Sequence, residues 1–466
     1  MYFADDYRVS RKLTLNIGLR WEYYSPYSEV ANRWANFDAD IATVKIAGRD
    51  GVDSRAGIER DFKNFAPRFG FAYQVMPSTV IRGGFGLFFN PNGNGGALLR
   101  LQRHVPFGPI YSQSNNNITV GTKVSDGFPA PPVVDFNSAK NPTGSVIGVF
   151  PRYTSAYAQQ FNLTVQHEVA WWKTLFSAAY VGNLGRRLGT TIDLNQPFPG
   201  PGAVGPRRPF FAKDPNLATI TYVVSDGLSN FNAFEATVNK RMSQGLSLLF
   251  GYTWSHAIDD VGTEFGGGTG TLQDVRNRRA DRGNSVYDIR HRATLSYTYE
   301  LPWGKGQRWM NRGGAMNLIL GRWQTNGIVI VQTGLPFTLA SQNADTGGAG
   351  GSRPDFIRDG TLPSDQRSLQ RWFDPTAYAT PRQYTFGNTG RDTLFGPGRT
   401  NVDMSLFKDF PIKERFIVQF RAEAFDVFNH PQFGQPNSTV ESAQAGRITS
   451  TVGNPRQLQL ALRMQW

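Results

Sequence analysis

The feature that most constrains this chain is a strict alternation of apolar and polar residues that recurs in strand after strand. Leu13, Leu15, Ile17, Leu19, Trp21 and Tyr23 alternate with Thr14, Asn16, Gly18, Arg20 and Glu22. Phe161, Leu163 and Val165 alternate with Gln160, Asn162, Thr164 and Gln166, and Leu246, Leu248, Phe250, Tyr252 and Trp254 with Ser247, Gly251, Thr253 and Ser255. The pattern returns in Ala293, Leu295, Tyr297, Tyr299 and Leu301 against Arg292, Thr294, Ser296, Thr298 and Glu300. It returns again in Phe416, Val418, Phe420, Ala422 and Ala424 against Gln419, Arg421 and Glu423. A period of two sends successive side chains to opposite faces of an extended strand and is useless to a helix. The chain is therefore expected to be all-β.

Two architectures use such strands. A soluble sandwich points its apolar face at a core and its polar face at water. A barrel spanning a membrane points the apolar face at lipid and lines its lumen with the polar one. Three further observations favour the barrel. The strands are nearer the ~9–11 residues of a tilted membrane strand than the ~5–6 of soluble sheets. Aromatics gather near strand ends, at Trp21, Tyr23, Tyr24, Phe88, Phe89, Tyr252, Trp254, Trp303 and Trp466, as interfacial girdles require. The connections also alternate in length. Short turns are expected at Ser10–Lys12, Met76–Ser78, Ala170–Lys173, Ser243–Gly245 and Pro411–Glu414, with a longer one at Pro302–Gly314. Between them lie long Gly/Pro/Asn-rich segments near Ser25–Phe65, Asn90–Ser155, Leu184–Ser229, Asp259–Ser285, Gly334–Gly398 and His430–Pro455. Short periplasmic turns facing long extracellular loops are the asymmetry of outer-membrane barrels.

The chain ends on RQLQLALRMQW, in which Leu458, Leu460, Leu462, Met464 and Trp466 alternate with Gln457, Gln459, Ala461, Arg463 and Gln465. It reads as a final strand facing lipid, with Trp466 at the periplasmic interface, and it must pair on both edges because hydrocarbon tolerates no open one. About thirteen strands are expected in all. Barrels of this kind have even numbers of strands and transporters about 22, so the chain reads as part of a larger barrel.

Composition removes several alternatives. The chain has no cysteine, which excludes a disulfide framework, a thiolate metal site and a cysteine nucleophile. The formal charge of +13 raises nucleic acid as a partner, but the arginines are scattered singly. Their densest run, Arg276 to Arg282, reads as a solvated loop. No nucleic-acid partner and no cofactor are expected. The opening MYFADDYRVS lacks the basic start and apolar core of a secretory signal, so either the protein stays inside or an N-terminal portion is missing.

Chemistry finds little foothold. His256, Asp259 and Asp260 in SHAIDD have no further His or Cys at ligand spacing and read as a solvated loop entry. Asp288 and His291 in YDIRHR have no second constellation to make a barrel-rim hydrolase. GGFG, GNGG and GGGTG lack the Lys-Ser/Thr ending of a phosphate loop. Charged residues on the polar faces are the better candidates. Arg20, Glu22, Arg82, Glu235, Arg292, Glu300, Arg421, Glu423 and Arg463 are expected to line a lumen, against plug or solute or simply as hydrated wall. Phe107, Tyr111, Trp372 and Tyr378 are loop aromatics suited to a ligand or to packing loops together.

Several blocks carry a family likeness: ADDYRVSRKLTLNIGLRWEYYSP, FAPRFGFAYQV with TVIRGGFGLFF, and AYAQQFNLTVQHEV with AAYVGNLGRRL. So do NFNAFEATVNKRMSQGLSLLFGYTWSHAID, YDIRHRATLSYTYELPWG and GRTNVDMSLFKDFPIKERFIVQFRAEAFDVFNHPQFGQPN. Over nearly its whole length, residues 1–466, the chain resembles the C-terminal barrel of Oar-like TonB-dependent outer-membrane receptors. The resemblance implies a Gram-negative outer-membrane location, a plug domain, and uptake of an unidentified solute powered by the TonB–ExbB–ExbD complex. It also implies that the barrel-assembly machinery recognises the terminal stripe. The family's signal peptide, regulatory domain, TonB box and plug are not expected within this chain. A passive porin-like channel and a structural or adhesive outer-membrane protein stand as alternatives.

Overall fold

The computed structural model describes the chain except residues 50, 91–98, 105–106, 109–124, 126, 128–139, 261–271, 312, 414–415 and 466. The dominant element is a fifteen-stranded sheet in which thirteen strands form one unbroken path, the number expected from the sequence. They are β1 (Tyr2–Arg8), β2 (Leu13–Glu22), β3 (Asn64–Met76), β4 (Thr79–Asn90), β5 (Ala156–Val169), β6 (Thr174–Asp193) and β7 (Leu217–Ser243). The path continues through β8 (Leu246–Asp259), β9 (His291–Glu300), β10 (Trp323–Gln332), β11 (Arg399–Lys413), β12 (Phe416–Phe425) and β13 (Gln457–Gln465). Each pairs antiparallel with the next. The two extra strands pair beyond the loop-side end of the path: Gly144–Val149 parallel to β7, and Gly283–Asn284 against β8.

Directly opposed residues of an antiparallel pair share a face, so register can be followed across the sheet. One row runs Leu13, Tyr73, Ile81, Val165, Ala178, Ala236, Tyr252, Ala293 and Val331. That face is predominantly apolar, and among the described residues little covers it beyond the loop residues Trp372 and Phe395 near Tyr252 and Val331. Ile17, Phe69, Leu163, Tyr180, Trp254 and Val331 are all 44% or more exposed, and Leu458, Leu460 and Leu462 about 70%. A sandwich would bury this face in its core. The buried apolar clusters instead lie among the long connections, as in the group of Ala35, Phe37, Val44, Ile46, Ile220 and Tyr222 and the group of Phe337, Leu339, Phe373, Tyr378 and Leu394. Aromatics on the apolar face also lie across glycines of the neighbouring strand: Phe71 over Gly83, Phe161 over Gly182 and Tyr297 over Gly327. A β-carbon at these glycines would collide with the ring, so each pair is a fitted contact and strengthens the wall.

The turns form as their residues dictate. Between β7 and β8, Gln244 and Gly245 both have positive φ (52° and 78°), the backbone of a type I′ hairpin. Lys173 takes a φ of 51° to close the turn after Trp172. All the short turns stand at one end of the sheet, joined there by the 301–322 connection, and the other long connections stand at the opposite end.

The expected loop Leu184–Ser229 is corrected. β6 runs on to Asp193 and β7 begins at Leu217, with Thr221 opposite Asp193. Thr190, Thr191 and Ile192 are β-branched and keep the chain extended past the glycines that suggested a loop. The register of β7 slips around Gly227, between Ser225 and Ser229, so the projecting half is joined to the wall by a bulge. β1 and β13 stand at the two edges of the path. Because thirteen alternating strands give the first and last the same direction, these edges cannot close antiparallel on each other.

Candidate functional site

The nine charged residues expected to line a lumen all fall on the polar face. The row Ala72, Arg82, Thr164, Ala179, Glu235, Thr253, Arg292 and Gln332 places three of them on one line across the sheet. Arg20 and Glu22 sit opposite Ala66 and Asn64, and Glu300 opposite Gln324. Arg421, Glu423 and Arg463 share the face across β12 and β13, where Gln419 opposes Arg463 and Glu423 opposes Gln459. They do not converge on one point. Arg20 Nε lies 2.5 Å from Glu22 Oε1, and Tyr24 donates to the other Glu22 oxygen at 2.6 Å. Burial beside that carboxylate pushes the Tyr24 phenol up to about 12. Arg421 stacks 4.6 Å over the Phe407 ring and donates to Gln419, which donates in turn to Asp409. A groove of about 400 Å³ on this face is lined by Asn326, Ser405, Asp403 and Glu423 together with the apolar Leu249 and Ile328.

The terminal stripe lies on the opposite face. Leu458, Leu460, Leu462 and Met464 sit opposite Ala424, Ala422, Phe420 and Val418. Trp466 lies outside the described residues.

At the loop end the polar face is capped by a network that the sequence did not announce. Arg353 pairs with Asp281 at 2.6 Å and Arg391 with Asp259, all four side chains buried. Gln196 donates to the Gln273 and Ala349 carbonyls at 2.9 and 3.0 Å and accepts from the Val275 amide at 2.8 Å. Gln273 donates to the Gly387 carbonyl and accepts from the Arg353 amide at 2.7 Å. These bonds tie three connections, around residues 196, 273–281 and 349–391, into one body. Burial raises the Asp392 carboxyl above its ordinary range, offset in part by the Thr338 hydroxyl at 2.6 Å and by Arg391.

Two expectations are corrected here. SHAIDD is not a solvated loop entry: Asp259 and Asp260 are buried because the 334–398 segment lays Arg391 over the first, while Arg278 approaches the second at 3.7 Å. The Arg276–Arg282 run is likewise not simply solvated, since Asp281 is buried under Arg353 and Arg278 pairs with Asp226 at 2.8 Å. Asp288 accepts from the Ala257 amide and pairs with Arg290, whereas His291 bonds Tyr252, so the two form no dyad. Of the loop aromatics, Phe107 packs against the Phe37 cluster, Tyr378 is buried and Trp372 is half-buried against the Phe373 cluster. Tyr111 lies outside the described residues, as do GNGG and GGGTG. The cap residues missed by sequence, Gln196, Gln273, Arg353 and Arg391, carry no local signal, because their partners lie 72 to 153 residues away.

A family model described as an outer membrane beta barrel domain matches residues 1–459. No protein of curated function matches the sequence. Among solved structures, the outer membrane transporter YddB from Escherichia coli aligns with a TM-score of 0.51 at 10% identity, covering 100% of this chain and 44% of that one. FpvA of P. aeruginosa, bound to a heterologous pyoverdine, aligns with a TM-score of 0.45 at 12% identity over 100% and 37%. The siderophore receptor PiuA from Acinetobacter baumannii aligns with 0.46 at 11% identity over 100% and 42%. This chain thus spans less than half the length of each.

Proposed function

We propose, from the premise that this chain belongs to the outer membrane beta barrel domain family, that it forms the wall and outer cap of a receptor for energised solute uptake. The chain is barrel wall of the Gram-negative outer membrane and not an enzyme. The apolar face meets lipid, the polar face lines the lumen, the short turns are periplasmic and the network of Arg353 and Arg391 lies outside. One observation carries the transport reading. A polar wall studded with Arg82, Glu235 and Arg292 leads to an end where long connections are hydrogen-bonded to one another, which suits a gated receptor better than an open pore.

In this reading the charged rows hold a plug supplied by the rest of the protein, the TonB–ExbB–ExbD complex powers its movement, and the outer loops select the solute. The barrel would be completed to about 22 strands. The stripe Leu458, Leu460, Leu462, Met464 and Trp466 serves the barrel-assembly machinery. The protein purified from outer membranes should bind the periplasmic domain of TonB in a pull-down and stay silent in planar bilayers. Steady conductance without TonB binding would establish the passive channel instead.

A further inference from the structure

Where the wall meets the overhanging loops, on the membrane side and not the lumen side, there is a cavity of about 560 Å³. Its floor is Tyr252, Ala293 and Val331, all on the apolar face. Its roof is Trp372, Phe395 and two arginines, Arg290 and Arg367. The height of this cavity in the membrane follows from β9. Ten residues at ~3.3 Å, tilted ~40°, stand about 25 Å tall, the full apolar band of an outer-membrane barrel. His291 begins β9 at the loop end, so the cavity lies at the outer boundary of the hydrocarbon. Aromatics mark the same level, with Trp254 and Tyr287 both more than half exposed.

The two arginines differ. Arg290 is neutralised by Asp288 at 2.7 Å and leans over the Phe395 ring at 5.7 Å. Arg367 spends its Nε on the Leu362 carbonyl and stacks 5.6 Å from the Trp372 ring. Among the described residues no carboxylate pairs with it, so its guanidinium edge offers donors and a whole positive charge to the cavity.

We propose that this cavity is a binding site for an acylated, phosphorylated glycolipid of the outer leaflet. Acyl chains lie on Tyr252, Ala293 and Val331, and a headgroup phosphate meets Arg367, with Arg290 beside it. An apolar floor alone would take any lipid chain, and a lone arginine any anion. Their juxtaposition at the boundary selects a molecule that has both parts, joined at that depth.

The test uses the protein purified from outer membranes in non-ionic detergent, stripped of lipid and titrated with bis-phosphorylated lipid A under native mass spectrometry. One lipid should be retained per chain. Arg367→Ala should weaken retention about tenfold, as loss of a charge-assisted bond implies. Ala293→Trp, which fills the floor and leaves the arginines in place, should do the same. Lys305→Ala, at the opposite end of the wall, should change nothing. Heat-modifiable gel mobility checks that each variant is folded. Dephosphorylated lipid A should bind about tenfold more weakly, and excess inorganic phosphate should not displace the lipid. Equal binding of phosphorylated and dephosphorylated lipid, displacement by phosphate alone, or wild-type retention by both cavity variants overturns the proposal.

Discussion

Leu460 and Gln459 are neighbours in β13, yet one faces Ala422 on the apolar side and the other Glu423 on the polar side. Leu460→Arg should cost about 2–4 kcal/mol if it lies near the midplane, and Gln459→Arg little. Reversible refolding into lipid vesicles reads the difference, and equal penalties would mean the faces are misassigned. This distinction was legible in the sequence because side-chain direction in a strand is a local property of the backbone. His104 was not legible. It is buried against the Ile147 carbonyl, and burial lowers its imidazole to about 4. The neutral form is the one the fold prefers, so its contribution is complete above pH 6.5 and is lost as pH falls from there towards 4. That loss approaches about 3 kcal/mol. The protection factors of the Leu101 and Val149 amides, exchange rates corrected for the intrinsic pH dependence, should therefore fall between pH 7 and 5, and His104→Gln should remove much of that acid sensitivity.

Among the elements, the wall strands were readable and the cap was not. Strands such as β9 take their boundaries from their own alternation and from turn residues beside them. The cap has no such grammar. Asp281 becomes a buried anion only because Arg353 arrives from 72 residues away, and Asp259 only because Arg391 arrives from 132. A single sequence gives no measure of such distances in space. The energetic consequence is testable. Asp281→Asn leaves the Arg353 charge buried without its counterion and should destabilise the cap by about 3–5 kcal/mol. Limited proteolysis should then cut near residues 272–282 and 345–392, while the wall stays intact. A double change to Asp281→Leu and Arg353→Met should recover much of the loss, since apolar replacements of a buried pair are often neutral.

At the scale of the whole molecule, the asymmetry of connections assigns the sides of the membrane. The chain contains no cysteine, so single substitutions give unambiguous labels. Tyr287→Cys, at the loop end, should react with a membrane-impermeant maleimide on intact cells. Lys305→Cys, at the turn end, should react only after the outer membrane is opened. The reverse pattern would invert the topology. Closure is also a whole-molecule property: with thirteen strands present, an odd number of further strands must separate β13 from β1 if every neighbour is to be antiparallel. One feature of the wall changes what an approaching molecule meets first. Beyond Ser229, β7 pairs with β6 and no longer with β8, and at ~3.3 Å per residue the stretch back to Leu217 is about 40 Å of ribbon. The Phe37 cluster is built around this mast, and the bulge at Gly227 gives it a knee where it leaves the wall. A bulge bends a strand locally, so a rotation of about 5° at the knee sweeps the tip through roughly 3 Å. Whatever grips the tip holds the long arm of a lever whose short arm is the membrane wall.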